Sequence, residues 1–327
     1  MTLIRFLITL LVGVATTRAE NVTSAKPDEK RLGPGDHSLS LKVGDLNRRY
    51  IIHVPQRYDS SKPTPVVLMF HGGGGVARAA MKETHWTDKA DQAGFLAVFP
   101  EGTAPDPTKP GNFRTNPQTW NDGSGRFHAG EKNVDDAAFT KALLDDLSAR
   151  FHVDRRRIYV TGFSNGSSLT YRLGVELADR IAAIAPVASS GLRLKEPLEL
   201  KRPVPMITIQ GTADPRNPLE GGDVKNFDFI DRRPPIKVSV ERWAKMLGCP
   251  PEPRVFRDQD GVKAVRYGPG RDNAEVIFYV IECMGHTWPG GESLLPESLV
   301  GKTTDKLKAN DVIWEFFQKH ALSEAGK

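Results

Sequence analysis

Cysteines and long apolar runs are scarce in this sequence. Its 327 residues include only two cysteines, and these stand too far apart in the chain to form a zinc-binding motif. Beyond the first 20 residues, no apolar run is long enough to span a bilayer. Basic residues exceed acidic ones only by 45 to 40, and no basic stripe carries interleaved aromatic residues. These absences argue against a zinc site built on cysteines, an integral membrane protein and a nucleic-acid-binding protein.

The N-terminus has the features of a secretory signal peptide. Arg5 supplies a positive charge, residues 6–15 form a short apolar run, and Thr17-Arg18-Ala19 places small residues at the −3 and −1 positions. We therefore expect residues 1–19 to be removed after Ala19. The mature protein would then be secreted, extracellular or periplasmic, without stable membrane insertion. The alternatives for this segment are an uncleaved anchor and a buried strand.

Secretion bears on the two cysteines, Cys249 and Cys283. An oxidising compartment allows a disulfide between them. Such a bond would tie the end of an expected helix to the segment after the last expected strand. The alternative is two unrelated buried thiols.

The rest of the chain has the pattern of a single α/β domain. Residues 20–37 are polar and rich in Lys, Asp, Gly and Pro, so we expect a flexible lead-in there. From residue 38 to 320, apolar strands alternate with helical patterns, which is typical of a mainly parallel sheet with helices on both faces. A short tail, 321–327, follows this catalytic domain.

The apolar patterns also predict individual elements. The expected strands are 38–43, 48–54, 66–70, 95–99, 157–161, 181–187, 205–210 and 275–281. The expected helices are 83–93, 133–150, 165–178, 236–247 and 305–320. Three long segments rich in Gly, Pro, Asn or Asp follow expected strands, where a parallel sheet binds its ligands, and should wall a site: 101–132, 212–235 and 287–304.

The segment Gly162-Phe163-Ser164-Asn165-Gly166 matches the G-x-S-x-G pattern. The pattern alone is weak, but here an expected strand runs into it and an expected helix leaves it. This strand–turn–helix setting is that of a nucleophile elbow in the α/β-hydrolase fold. Ser164 is therefore the candidate nucleophile, and the alternative is a structural turn.

A serine hydroxyl needs a base to take its proton. In the chain order serine, acid, histidine, His286 is the candidate base because it follows the last expected strand. Asp214 follows the strand at 205–210 and is the candidate acid that orients the imidazole. The alternatives are a surface histidine and a turn-forming aspartate before Pro215.

The oxyanion of a tetrahedral intermediate requires backbone donors. We expect one from the N–H of Asn165 and a second from Gly73, with Gly74 in reserve, because a glycine run follows the strand at 66–70. Trp120 and Trp288 lie in the segments expected around the site. Each of them either contacts substrate or belongs to the core.

Several segments together resemble a known family. In this order the chain contains Phe70-His71-Gly72-Gly73-Gly74, Thr119-Trp120-Asn121, Val134-Asp135-Asp136, the Gly162–Gly166 elbow and Gly285-His286-Thr287-Trp288-Pro289-Gly290. They resemble the secreted polyhydroxybutyrate depolymerase and feruloyl esterase group, related to carbohydrate esterase family one. The resemblance implies a triad of Ser164, Asp214 and His286, with no metal and no organic cofactor. Members often carry cysteines where this chain has Asp122-Gly123 and Gly73-Gly74, so their disulfide pattern does not transfer.

The residues and the resemblance together predict a secreted serine carboxylesterase. The interval between Ser164 and Asp214 has no room for a large lid, which suits a bulky or polymeric ester. Such esters include feruloyl or acetyl groups on plant polysaccharide and polyhydroxyalkanoate chains. The alternatives are an acyltransferase, a serine peptidase with the same triad, and a non-catalytic binding protein of the same fold.

Overall fold

The computed structural model describes residues 32–195, 198–225 and 230–323. The expected signal peptide and the expected lead-in up to residue 31 lie outside the described residues, as do residues 324–327 of the expected tail. Within the described ranges, no helix is both long enough and apolar enough to cross a membrane.

A ten-stranded sheet carries the architecture. Its members are β1 (Gly35–Val43), β2 (Leu46–Val54), β3 (Thr64–Phe70), β4 (Leu96–Pro100), β5 (Val153–Phe163), β6 (Ala183–Val187), β7 (Met206–Gly211), β10 (Arg254–Gln259), β11 (Val262–Tyr267) and β12 (Val276–Ile281). A separate two-stranded hairpin consists of β8 (Gly222–Lys225) and β9 (Ile230–Arg233).

The central strands of the large sheet are parallel. In the order β4-β3-β5-β6-β7-β12, each pairs with its neighbour in the same direction. Antiparallel strands complete both edges, β2 and β1 on one side, β11 and β10 on the other. Ligands bind outside the carboxyl ends of parallel strands, and β5, the strand that leads into Ser164, lies among these central strands.

Helices cover both faces of the sheet. They are α1 (Ala77–Thr84), α2 (Trp86–Ala93), α3 (Phe127–Glu131), α4 (Asp136–Arg150), α5 (Asn165–Glu176), α6 (Ile236–Met246), α7 (Glu297–Val300) and α8 (Ala309–Phe317). Strand β3 is buried throughout, and its side chains point alternately to the two faces of the sheet. Leu68 packs in the apolar layer formed with α4, α5 and α6. Val67 packs on the other face, in the layer formed with α1, α2 and α8. This is the α/β-hydrolase fold predicted from the sequence.

Some element boundaries differ from those expected. Strand β1 begins at Gly35, inside the expected lead-in. The expected helix at 83–93 is two helices, because His85 adopts a left-handed conformation with φ 55° between them. Helix α4 is capped by Asp135, whose carboxylate accepts the Ala138 N–H, and not by Asn133. Strands β8 to β11 were not expected, since their short and charged segments carry no apolar run.

The structure contradicts the expected disulfide, because Cys249 and Cys283 are both free. The Cys249 sulfur lies 3.8 Å from the carbonyl oxygen of Ala274, just before β12, whereas Cys283 follows the far end of that strand. The six residues of β12 alone span about 20 Å at about 3.3 Å per residue. A disulfide needs α-carbons within about 7 Å of each other.

Candidate active site

Ser164 lies in a sharp turn between β5 and α5. Its φ of 54° and ψ of −116° are sparsely populated for a residue with a side chain, and such strain persists only where the surroundings impose it. Glycine is required on both sides. A β-carbon on Gly162 would lie 2.4 Å from the carbonyl oxygen of Gly166, and one on Gly166 would lie 2.3 Å from that of Phe70. The expected nucleophile elbow therefore has the expected geometry.

His286 and Asp214 are brought together from segments 72 residues apart. The Nδ1 atom of His286 lies 2.8 Å from Oδ2 of Asp214, and both residues are buried. Since a carboxylate only accepts hydrogen bonds, Nδ1 donates, and Nε2 is left as the proton acceptor. The other carboxylate oxygen accepts the backbone N–H groups of Arg216 at 2.8 Å and Asn217 at 2.7 Å.

The side chain of Phe163 joins the imidazole to the elbow. The two rings lie 4.7 Å apart between centroids, with a tilt of 36°. Because Phe163 directly precedes Ser164, this contact ties His286 to the elbow, and both Ser164 and His286 line the same cavity. The G-x-S-x-G pattern leaves this position open, so no sequence signal marks its role.

The glycine loop after β3 packs against the start of α5. A β-carbon on Gly73 would lie 3.5 Å from that of Asn165, so the two backbones are neighbours. As the first residue of α5, Asn165 has no acceptor for its N–H within the helix, and the N–H of Gly73 has no backbone acceptor among the described residues. Gly74 is different, because its N–H donates to the carbonyl oxygen of Gln118 at 2.7 Å. The expectation of Gly74 as a reserve oxyanion donor is therefore wrong.

His71 holds this loop in place. Its ring bonds the carbonyl oxygen of Gly72 through Nδ1 at 2.7 Å and accepts the N–H of Gly102 through Nε2 at 3.0 Å. Burial, with the nearby positive charge of Arg48, lowers the pKa of His71 to about 4. The ring is thus neutral and serves as donor and acceptor at once. Apart from its place in the Phe70–Gly74 segment, no sequence pattern marks His71, and none predicts this positioning role.

Of the two roles left open for Trp120, substrate contact and core, the structure supports the core. Its side chain is fully buried, and its indole N–H donates to the carbonyl oxygen of His71 at 2.9 Å. Its backbone N–H donates to the side-chain oxygen of Asn165 at 2.8 Å. Trp120 therefore links the glycine loop to the start of α5 and stabilises both.

A cavity of about 720 Å³ opens in front of Ser164 and His286. All three segments expected to wall a site contribute to it, and Phe113, Phe127, Leu295 and Leu299 make much of the wall apolar. Trp288 also lines the cavity, as expected. Only 2% of Trp288 is exposed, however, and its indole N–H donates to Asn310 at 2.9 Å, so little of its side chain is open to a ligand.

Charged residues also line the cavity, and no sequence motif marks any of them. Burial raises the pKa of Glu83 to about 7, although a hydrogen bond from the Leu294 backbone lowers it in part. Four arginines also line the cavity: Arg114, Arg126, Arg216 and Arg233. No group of three or more His, Cys, Asp or Glu side chains suited to a metal ion occurs in the described part of the chain.

Comparison with known proteins agrees with this geometry. The model of the phospholipase/carboxylesterase family matches residues 57–226. The chain is 27% identical over 296 residues to NocK of Nocardia uniformis subsp. tsuyamanensis, a protein named as an esterase, covering 84% of this chain and 80% of NocK. It is 27% identical to feruloyl esterase C of Emericella nidulans, covering 86% and 87% of the two chains.

Other relatives are longer than this chain. Feruloyl esterase B of Piromyces equi is 29% identical, and the match covers 75% of this chain but only 44% of that protein. Among solved structures, the acetyl xylan esterase from Aspergillus awamori aligns with a TM-score of 0.53 at 16% identity, covering 77% of this chain and 94% of that one. At this identity the likeness concerns the fold.

The family match spans more than half of the chain, and the fold and the elbow geometry agree with it. The chain is therefore an α/β-hydrolase of the phospholipase/carboxylesterase family, and an ester hydrolase.

Proposed function

We propose that this protein is a secreted serine carboxylesterase in which Ser164, His286 and Asp214 form the catalytic triad. The observation that carries the proposal is the Asp214–His286 hydrogen bond of 2.8 Å, with the imidazole lying against Phe163 at the wall of the cavity that Ser164 also lines. This arrangement supports a base held in the correct tautomer beside a strained, accessible serine.

In the proposed reaction, the Ser164 hydroxyl oxygen attacks the ester carbonyl carbon while Nε2 of His286 takes its proton. The backbone N–H groups of Gly73 and Asn165 stabilise the oxyanion, assisted by the positive end of α5. The intermediate collapses as the imidazolium returns the proton to the leaving alcohol, which leaves an acyl-serine. Water then attacks the acyl carbon, His286 takes a proton from it, and Ser164 is regenerated with release of the acid.

The proposed substrates are bulky or polymeric esters. Relatives named feruloyl esterase and poly(3-hydroxyalkanoate) depolymerase act on such esters by name. Among the described elements around the cavity, only the short helices α3 and α7 and the β8–β9 hairpin interrupt the loops. Leu299 lines the cavity and is 49% exposed, and Leu294 in the same segment is 42% exposed. An apolar rim of this kind supports contact with a large substrate.

Replacement of the triad residues tests the mechanism. Ser164→Ala and His286→Ala should each lower kcat on a hydroxycinnamate ester by roughly 10⁶, because the two groups act as one unit. Asp214→Asn should cost about 10⁴, because the imidazole remains but loses its orientation. Steady-state kinetics with product analysis in the presence of an alcohol acceptor measures these effects. Full activity of Ser164→Ala, or transfer to the alcohol in place of hydrolysis, would contradict the proposal.

Secretion is proposed from the N-terminal segment alone. Protein recovered from the medium or periplasm of an expressing cell should begin at Glu20, because Thr17-Arg18-Ala19 is the best small-residue cleavage site. N-terminal sequencing that finds residues upstream of Arg18 in the exported protein would refute this.

A further inference from the structure

One wall of the cavity carries a buried cluster of charge in which guanidinium groups outnumber carboxylates. Asp231 on β9 contacts Arg126 at 2.5 Å, Arg193 at 3.0 Å and Arg233 at 3.0 Å. Asp122 forms a second contact with Arg126, at 2.6 Å. All five side chains are at most 16% exposed. Three positive groups thus meet two negative ones, which leaves one net positive charge.

The excess charge faces the cavity through Arg233. This residue is 7% exposed and lines the cavity. Its Nε donates to Asp231 and its Nη1 to the carbonyl oxygen of Arg216, whereas its Nη2 has no partner among the described residues. Burial and the nearby Arg126 lower the pKa of Arg233 to about 10, so the group stays charged at neutral pH. A buried charge without a full set of partners is costly, and an anion in the cavity would relieve that cost.

Hydrogen bonds connect this cluster to the helix that begins at the nucleophile. Arg126 Nη2 donates to the Ser190 hydroxyl at 3.0 Å, and this hydroxyl lies 2.8 Å from that of Ser168. Ser168 lies on α5, one helical turn beyond Ser164. The cationic wall is therefore fixed relative to the elbow, within reach of a substrate bound at Ser164.

The acidic residues of the cavity leave this charge uncompensated. Among the described lining residues these are Glu83 and Glu292. Burial raises the pKa of Glu83 to about 7, so a large fraction of it is neutral near that pH. Glu292 already faces Lys82 at 3.8 Å and His85 at 3.4 Å.

We propose that the natural ester carries a carboxylate in addition to the ester group, and that Arg233 binds this carboxylate in the cavity while Ser164 attacks the ester. A guanidinium group suits a planar carboxylate because its N–H donors match the carboxylate oxygens in spacing. The inference rests on the proposed esterase function and specifies its substrate class.

Matched ester pairs test the inference. On the acyl side, mono-p-nitrophenyl adipate is compared with p-nitrophenyl hexanoate, and on the alcohol side, 4-acetoxybenzoate with phenyl acetate. In at least one pair, kcat/KM should favour the carboxylate-bearing ester by a factor of about 10 or more, as a charge-assisted hydrogen bond provides. The pair that shows the preference identifies which side of the ester faces Arg233.

Three variants separate the role of Arg233 from the general charge of the cluster. Arg233→Gln should lower the preference ratio by about tenfold, and Arg233→Lys should keep part of it. Arg193→Gln is the matched control, because Arg193 shares Asp231 but is not among the residues that line the cavity. Because Arg193→Gln also removes one positive charge from the cluster, its ratio should fall, but clearly less than that of Arg233→Gln. Each ratio compares two esters on the same protein preparation. A lower concentration of folded enzyme therefore reduces both rates equally and does not change the ratio.

A measurement on the wild type alone covers the case in which Arg233→Gln does not fold. Benzoate should inhibit hydrolysis of p-nitrophenyl hexanoate competitively, with a Ki at least tenfold below that of benzamide. Hydrolysis of the neutral esters without any carboxylate preference, together with equal inhibition by benzoate and benzamide, would overturn this inference and leave the proposed function intact. Failure to hydrolyse any of the four esters would overturn both.

Discussion

At the scale of single residues, His71 shows how a buried, neutral side chain supports a site that it does not enter. It links the glycine loop at Gly72 to the segment at Gly102, and the Trp120 indole bonds its backbone. Protonation would turn Nε2 into a donor facing the N–H of Gly102. The folded state therefore disfavours the protonated ring.

This low pKa predicts a pH dependence of stability. His71 has a pKa of about 4 in the folded protein, against about 6.5 in an unfolded chain. Between these values the unfolded chain binds a proton that the folded protein does not. The free energy of unfolding should therefore fall as the pH falls from 6.5 towards 4, by up to about 3 kcal/mol from this residue. In His71→Gln the free energy of unfolding should fall less over this range.

Urea unfolding at pH 7, 5.5 and 4.5 measures the difference. Glu83, with its raised pKa of about 7, contributes in the opposite direction, because its stabilisation is lost as the pH rises, but it does so equally in both proteins. His152→Gln is the control, since His152 is exposed, and its profile should follow the wild type. Parallel profiles for His71→Gln and the wild type would show that His71 is not buried in its neutral form.

At the scale of secondary structure, the sequence predicts the elements that carry apolar runs and misses those that do not. Strands β3, β5, β6, β7 and β12 are central and buried, so their positions follow from the sequence. The β8–β9 hairpin has only four residues in each strand, and five of these eight residues are charged, so no apolar pattern marks it. This hairpin nevertheless delivers Arg233 to the cavity wall.

The same division holds for the elements around the elbow. A strand, a G-x-S-x-G turn and a helix suffice to predict the conformation of Ser164, because only glycine fits where Gly162 and Gly166 meet neighbouring backbone. The choice between Gly73 and Gly74 depends on which N–H is already bonded. The N–H of Gly74 is bonded to the carbonyl oxygen of Gln118, which lies 44 residues further along the chain. No local sequence pattern reveals this contact.

At the scale of the whole molecule, the site is assembled from distant parts of one sheet edge. The chain order of serine, acid and histidine predicts Ser164, Asp214 and His286, because the carboxyl ends of β5, β7 and β12 meet at the same edge. The charge balance of the cavity could not be predicted, since Arg126, Arg193 and Arg233 converge on Asp231 only in three dimensions. The predicted Cys249–Cys283 disulfide was wrong for the same reason. The sequence does not reveal that Cys249 lies near the beginning of β12, whereas Cys283 follows its end.

The central claim is that Ser164 is a nucleophile activated by His286. The most direct measurement is reaction with a fluorophosphonate probe, followed by peptide mass spectrometry of the folded protein. We predict one covalent adduct per chain, located on Ser164, which is lost in Ser164→Ala and forms far more slowly in His286→Ala. An adduct on another residue, or no adduct on the folded wild-type protein, would contradict the account.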